Sequence, residues 1–277
     1  MLNINTNIMS LTAQTNMSGT QSALSQAINR LSSGKRINTA ADDAAGNAIA
    51  TQQTASINAL NQGVANANNA VSMVQTANGA LQSTIDNLQR IRQLAVQASD
   101  GSLDSNAVAD INTEIQNRLT EITRVADQTQ FNGQNVLSAL GTVAFQIGAQ
   151  SGQTVSVDFG AVALDASGLS VNAISIAGAG SAALSSAQSA MSAIDAALQQ
   201  VNTLQASLGA TQNTISAAIT TTQTMSTNMS SARSQITDAD FAQETANLSK
   251  AQVLQQAGIS VLAQANSLPQ QILKLLQ

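Results

Sequence analysis

Cysteine, histidine, tryptophan and tyrosine are all missing from this 277-residue chain, and proline occurs once. Without imidazole or thiolate there is no Ser-His-Asp or Cys-His nucleophile, no redox thiol and no ordinary zinc site. No catalytic residue, metal or cofactor is therefore expected. Aromatic residues make up 1% of the chain and charged residues 9%, where a typical globular domain carries about 25% charged. Ten Lys and Arg stand against fifteen Asp and Glu, for a net charge of −5. No basic stripe exists to meet a phosphate backbone or an anionic bilayer, which excludes nucleic acid and membrane as partners. No apolar run approaches the roughly 18 residues of a spanning helix. The opening residues Met1 to Ile8 lack the basic and apolar regions of a cleaved signal peptide, so general secretory export is not expected.

What remains is 43% hydrophobic, mostly Ala, Leu, Ile and Val, a mixture that favours helices packed at close range. Polarity comes from Asn, Gln, Ser and Thr. Neutral amides and hydroxyls can be covered by a neighbour at lower desolvation cost than Lys or Glu, so the composition suits repeated self-association.

The first amphipathic segment runs from about Ile4 to Ile37, with Leu24, Ile28 and Leu31 on one helix face. Gly34 is placed to cap it in the left-handed conformation. The longest helix is expected over residues 44–99. Its seam of Leu60, Val64, Ala67, Val71, Val74, Asn78, Leu81, Ile85, Leu88, Arg92 and Ala95 alternates steps of four and three, a heptad pattern. Such a helix is about 80 Å long and needs lateral partners. Val108, Ile111, Ile115, Leu119 and Ile122 mark a returning helix. From Phe131 to about Leu184 the chain turns Gly-punctuated and alternating, with strands expected at 142–147 and 154–159. Helical spacing resumes near Ala187 through Met191, Ile194, Leu198, Val201, Leu204, Leu208, Ile215 and Ile219 to about Met229. A last helix starts near Asp238 and carries Phe241, Leu248, Leu254, Ile259, Leu262 and Leu268, with Pro269 expected to bend or interrupt it.

The expected fold is mainly α: an elongated antiparallel helical bundle or coiled coil with a small central β-region, its N- and C-terminal helices paired. The chain divides at 1–43, 44–137, 138–186, 187–235 and 236–277. The terminal helices have little of their own chain to cover their apolar stripes. Leu24, Ile28, Leu31, Phe241, Leu248, Leu254 and Leu262 are therefore expected to be sealed by neighbouring molecules.

Ordered motifs at both ends resemble bacterial flagellins. Toward the N-terminus these are Asn3-Ile-Asn-Thr-Asn7, Leu31-Ser-Ser-Gly-Lys-Arg-Ile-Asn38 and Asp42-Asp-Ala-Ala-Gly46, followed by Gln128-Thr-Gln-Phe-Asn-Gly133. Toward the C-terminus they are Ser231-Ala-Arg-Ser, Ile236-Thr-Asp-Ala-Asp-Phe241, Ser249-Lys-Ala-Gln-Val-Leu-Gln-Gln-Ala-Gly258 and Val261-Leu-Ala-Gln-Ala-Asn266. The resemblance implies a structural subunit that polymerises into the flagellar filament for swimming motility. Its terminal helices would form the inner tube, and its long helices and hairpin the outer tube. It also implies export through the flagellar type III channel to an extracellular place, and as partners further copies of the chain, an export chaperone, the cap protein and the hook–filament junction protein. A junction protein and a secreted monomeric coiled-coil binding module are the competing structural readings.

The stretch from Gln89 to Val96, with Glu114, resembles the flagellin surface recognised by Toll-like receptor 5. By that resemblance Arg90, Leu94 and Glu114 are the contacts, with Gln93 departing from the Glu frequent there. Leu88 and Ala95 take the inward stripe, and Arg90 and Leu94 fall on a neighbouring face. Leu94 is thus expected to be exposed in the monomer and buried between subunits in the filament. The pair Asp42 and Asp43 is read as a helix cap or subunit ion pair before a general acid–base site. Arg92 and Asn78, which interrupt the seam, fit either register-setting groups or a solvated edge. The serines between Ser181 and Ser192 are candidates for O-linked glycans, against a default of solvated loop residues.

Overall fold

The computed structural model describes residues 6–138, 140–160 and 163–275. Among the described residues there are five helices: α1 (Ile8–Ser33), α2 (Ala44–Ala98), α3 (Ser105–Gln128), α4 (Ser181–Thr237) and α5 (Phe241–Leu275). Two small antiparallel sheets lie between α3 and α4, pairing β1 (Gln130–Phe131) with β2 (Gln134–Asn135) and β3 (Thr142–Gln146) with β4 (Thr154–Asp158). The fold is mainly α, as the periodicity predicts. Contacts divide it into two units, residues 1–56 with 227–277 and residues 57–226.

In the second unit α2 is the central helix. Leu60, Ala67, Val74, Leu81, Ile85, Leu88 and Ala95 of the expected seam are buried, and so, outside it, are Met73, Ala77, Ile91 and Leu94. α2 therefore buries more than one stripe, because α3 and α4 both pack on it in a single core. Val108, Ile111, Ile115, Leu119 and Ile122 supply the α3 side of that core, and Ile194, Val201, Leu208 and Ile215 the α4 side. Both neighbours run antiparallel to α2. Arg90 meets Glu114 while the earlier Asn87 meets the later Arg118; Arg92 meets Asp195 while the earlier Asn61 meets the later Ser226.

The β3–β4 hairpin lies against α2 at Gly63. A Cβ there would overlap the Ile147 carbonyl, so the contact requires a residue without a side chain. Asn66 fixes the same place by donating from Nδ2 to the Gln146 carbonyl at 2.9 Å. Asn132 and Gly133, with φ of 50° and 80°, form the turn between β1 and β2, the left-handed pair that a two-residue hairpin requires.

The observed strands end at Asp158, well short of Leu184. The alternation of Leu169, Val171, Ile174 and Ile176 belongs instead to turns that cover α3, all four side chains being buried. Side chains replace the missing ladder: Gln116 donates to the Ile174 carbonyl at 2.7 Å, and the Ile176 amide donates to Asn112 Oδ1 at 2.9 Å. α4 accordingly begins at Ser181, six residues before the expected Ala187, and runs without a break to Thr237. The serines from Ser181 to Ser192 are thus helical, and Ser185, Ser189 and Ser192 donate to carbonyls one turn back.

In the first unit, α1 ends as predicted, with Gly34 at φ 68° as its C-cap. The expected start at Ile4 lies outside the described residues. α5 continues through Pro269 to Leu275, so proline does not end the helix there. The Leu268 side chain lies outside the described residues. Among the described residues no helix is long and apolar enough to cross a membrane.

Candidate assembly surface

The first unit is built on the α1–α5 pair. Asn7 Nδ2 donates to the Ala265 carbonyl at 2.8 Å, Gln255 donates to Gln21 at 2.7 Å, and Arg30 pairs with Glu244 at 3.1 Å. The three contacts fix an antiparallel arrangement. On α1 the residues turned inward are Ser10, Ala13, Met17, Thr20, Leu24, Ala27 and Leu31, in steps of three and four. On α5 they are Glu244, Leu248, Ala251, Gln255, Gly258, Leu262 and Ala265, in steps of four and three. This is a heptad seam on both helices. Its most buried apolar members are alanines, Ala13, Ala27, Ala251 and Ala265. Small side chains let the backbones approach but cover little apolar surface.

That seam sorts the seven residues expected at the assembly surface. Leu24, Leu31, Leu248 and Leu262 are half-buried between α1 and α5. Ile28, Phe241 and Leu254 remain exposed, at 49%, 62% and 50%. Further exposed apolar residues on the same pair are Ile8, Met9, Leu11, Val253, Ile259 and Val261. A groove of about 690 Å³ follows the seam, with Ala23, Ala27, Ala257 and Leu254 on its walls and Arg30, Glu244 and Lys250 toward one end.

The Arg30–Glu244 pair escaped the sequence reading. Its side chains are 22% and 9% exposed, and Asn247 Nδ2 donates to the second Glu244 oxygen at 3.3 Å. The available signal was the seven-residue spacing of Glu244, Ala251, Gly258 and Ala265, which puts an acid in line with small core residues.

The connections at the ends of α1 and α4 are tied together by main chain. The Arg36 amide donates to the Thr237 carbonyl at 2.7 Å and the Ala239 amide to the Gly34 carbonyl at 2.9 Å. Arg36 Nη2 adds a bond to the Ile236 carbonyl at 2.7 Å. Asp42 and Asp43 serve as caps here. Asp43 accepts from the Gly46 amide at 2.9 Å at the start of α2. Asp42 accepts from the amides of Thr39 and Asn38 and from the Thr39 hydroxyl. The Thr39 amide, then its hydroxyl, then the Asn38 amide hold the Asp42 carboxyl below its ordinary range. Asp240 caps α5 by accepting from the Ala242 and Gln243 amides. Asp238 accepts from the hydroxyls of Ser234 and Thr237, and these two bonds, Ser234 first, lower its pKa.

In the second unit, Arg90 and Glu114 are brought together at 2.9 Å, both about two-fifths exposed, and Arg90 also donates to Gln93 at 2.8 Å. Leu94 does not join them at the surface. It is 1% exposed, buried within its own chain, which overturns its expected exposure in the monomer. A single inward stripe leaves Leu94 outside, but α2 is covered by two helices, so the face beside Leu88 is interior too. Arg92 lies at a solvated edge and pairs with Asp195 at 2.7 Å. Asn78 is half-buried, and its Oδ1 is buried without a hydrogen-bond partner.

Comparison with known proteins bears on the same helices. The bacterial flagellin N-terminal helical region matches residues 4–142, and the C-terminal helical region matches residues 191–276. A flagellin of Xenorhabdus nematophila is 40% identical over 309 aligned residues, 99% of each chain. A flagellin of Shigella flexneri is 49% identical over 180 residues, 65% of this chain and 32% of the relative. One of Escherichia coli K12 is 48% identical over 173 residues, 62% and 34%. The chain thus spans nearly all of the first relative and about a third of the longer two. Among solved structures, a Bacillus cereus flagellin has a TM-score of 0.49 at 25% identity, covering 61% of this chain and 94% of that one. Matched regions containing the α1–α5 pair and the three-helix core, with a relative aligned over 99% of both chains, place this protein in the bacterial flagellin family.

Proposed function

We propose that this flagellin, a structural subunit of the flagellar filament, is joined to its neighbours mainly through the α1–α5 pair. The exposed apolar set on that pair, Ile28, Phe241 and Leu254 with the residues around them, supports the reading. A soluble monomer gains nothing from so much uncovered apolar surface, whereas a polymer buries it. Leu24, Leu31, Leu248 and Leu262 first hold the two helices together, so the polymerisation face is presented by a pre-paired hairpin of chain ends.

In this proposal residues 1–43 and 236–277 form the inner tube. Residues 44–137 and 187–235 form the rod of the outer tube, and 138–186 the short outward β-region. The subunit leaves the cell through the flagellar type III channel. Missing cysteines suit that passage, since a chain threaded through a narrow pore would be trapped by disulfides. Export chaperone, cap protein and hook–filament junction protein are its expected partners outside the homopolymer. Receptor contact, in the same proposal, falls to Arg90 and Glu114, with Leu94 acting only by supporting the helix beneath them. In this proposal the subunit's role is structural, and the carboxylates of Asp42 and Asp43 act as caps.

Removing residues 241–277 tests the assignment. The truncated chain should fail to extend filament fragments, read by sedimentation and electron microscopy, while circular dichroism retains the helices of the second unit. Normal filaments from the truncated chain would refute the inner-tube role.

A further inference from the structure

Asparagine is followed by glycine twice, at Asn78-Gly79 and at Asn132-Gly133. In that pairing the glycine amide nitrogen can attack the asparagine side-chain carbonyl, because no Cβ on the following residue blocks the approach. Two conditions must be met. The glycine amide must be free of the backbone hydrogen-bond network, and the main chain must be able to turn until nitrogen and carbonyl carbon meet. The two sites differ in both.

Asn78 lies in the interior of α2 and is half-buried, where the helix commits the Gly79 amide to a carbonyl one turn back. Ala77 and Leu81 beside it are fully buried, so freeing that amide means opening the helix against a closed core. Asn132 and Gly133 are instead both exposed, at the tip of the β1–β2 turn. Among the described residues, neither the Asn132 side chain nor the Gly133 amide has a hydrogen-bond partner. The ladder beneath them has two residue pairs, Gln130 with Asn135 and Phe131 with Gln134, so the turn can reshape without disturbing a helix. The φ of 50° at Asn132 is one that a residue with a Cβ adopts at some cost, which lowers the work of leaving it.

We infer that Asn132 is a site of spontaneous deamidation, and that of the two Asn-Gly pairs the fold leaves only this one open to it. A bond forms between the Gly133 nitrogen and Asn132 Cγ. The bond from Cγ to the side-chain nitrogen breaks, and that nitrogen leaves as ammonia with the Gly133 proton. The resulting succinimide takes up water at either of its carbonyls. Hydrolysis at Cγ leaves aspartate, and hydrolysis at the main-chain carbonyl leaves isoaspartate, whose backbone runs through Cβ. Water is the sole co-reactant, and nothing is oxidised or reduced. Either product adds one negative charge to the chain's −5, at an exposed turn. Isoaspartate also lengthens the turn by one backbone atom beside Phe131, which packs against the core of the second unit.

The test incubates the freshly purified full-length chain in warm, mildly alkaline buffer, folded in one arm and unfolded in urea in the other. Peptide mapping by mass spectrometry follows the mass gain that replaces an amide by a carboxyl, and fragmentation separates aspartate from isoaspartate. In the folded arm Asn132 should convert and Asn78 should lag by about tenfold or more, because its reaction waits on local opening of α2. In urea the lag should vanish, since both sites then have the same freedom. Asn132→Gln, in which the same attack would have to close a larger ring, should leave its peptide unconverted in the folded arm. The inference is overturned if folded Asn132 stays intact through the time that converts Asn78 in urea. It is equally overturned if the two sites convert at one rate in the folded chain, since the fold would then make no choice between them.

Discussion

The two units solve one packing problem in opposite ways. Both pack antiparallel helices along heptad seams. In the second, Leu, Ile and Val from three helices and the covering turns close a core around α2. In the first, the buried apolar residues are Ala13, Ala27, Ile37, Ala50, Ala251 and Ala265, so the helices approach closely and exclude little water. Among the described residues, ten of the thirteen large apolar side chains that stand exposed belong to this first unit. Burial stabilises in proportion to apolar area, so the second unit is closed within one chain, and in the proposed assembly neighbours finish the first. In a self-assembling protein the incomplete unit is where assembly and folding meet.

Leucine truncation in each unit should break the comparison most sharply. Leu94→Ala opens a cavity in a closed core and should lower monomer stability by about 2–5 kcal/mol in urea denaturation. Leu254→Ala, at an exposed position, should change monomer stability by no more than about 0.5 kcal/mol while raising the critical concentration for elongation. Equal effects of the two on the monomer would mean that the units are not closed to different degrees.

Gly63→Ala probes the tightest approach in the second unit. Alanine gains about 1 kcal/mol of helix propensity, but its Cβ meets a backbone carbonyl that cannot swing aside, at about 1–3 kcal/mol or more. A net loss, with faster amide exchange in β3 and β4, is the expected result; a net gain would show that the hairpin does not lean on α2 there.

Glu244→Gln leaves Arg30 unpaired in the first unit. Arg30 retains some contact with water, so the loss should be about 1–2 kcal/mol, less than for a fully buried pair. Hydrogen exchange should quicken in α1 and α5 and stay unchanged in α3. A uniform change across the chain would refute a local role.

The smallest effect is expected from acid. Asp238 has a folded pKa below the ordinary 3.8, through Ser234 first and then Thr237. A carboxylate lowered on folding adds stability that is present above the unfolded pKa and lost as pH falls through the folded one. Amides near the α4–α5 connection should therefore lose protection as pH drops below about 4, and Asp238→Asn should flatten that part of the profile. An unchanged profile would remove Asp238 from the account of the connection.

Helix positions, the Gly34 and Asp43 caps, the two hairpin strands and the family were all legible in the sequence. Each depends on contacts within a few residues or on a repeating spacing, and spacing survives without knowledge of what lies opposite. The sequence also marked Leu24, Ile28, Phe241 and Leu254 as one apolar set. Tertiary structure alone divided it, turning Leu24 toward α5 and leaving the other three outside. Leu94 was misplaced for the same reason. A heptad names the stripe that meets one partner, but burial depends on how many partners arrive, and α2 receives two. Gly63 and Glu244 likewise acquire their meaning only from Ile147 and Arg30, far away in the chain. Local periodicity thus fixed which elements form, while the choice of interior face was made by the neighbours that folding brings to each helix.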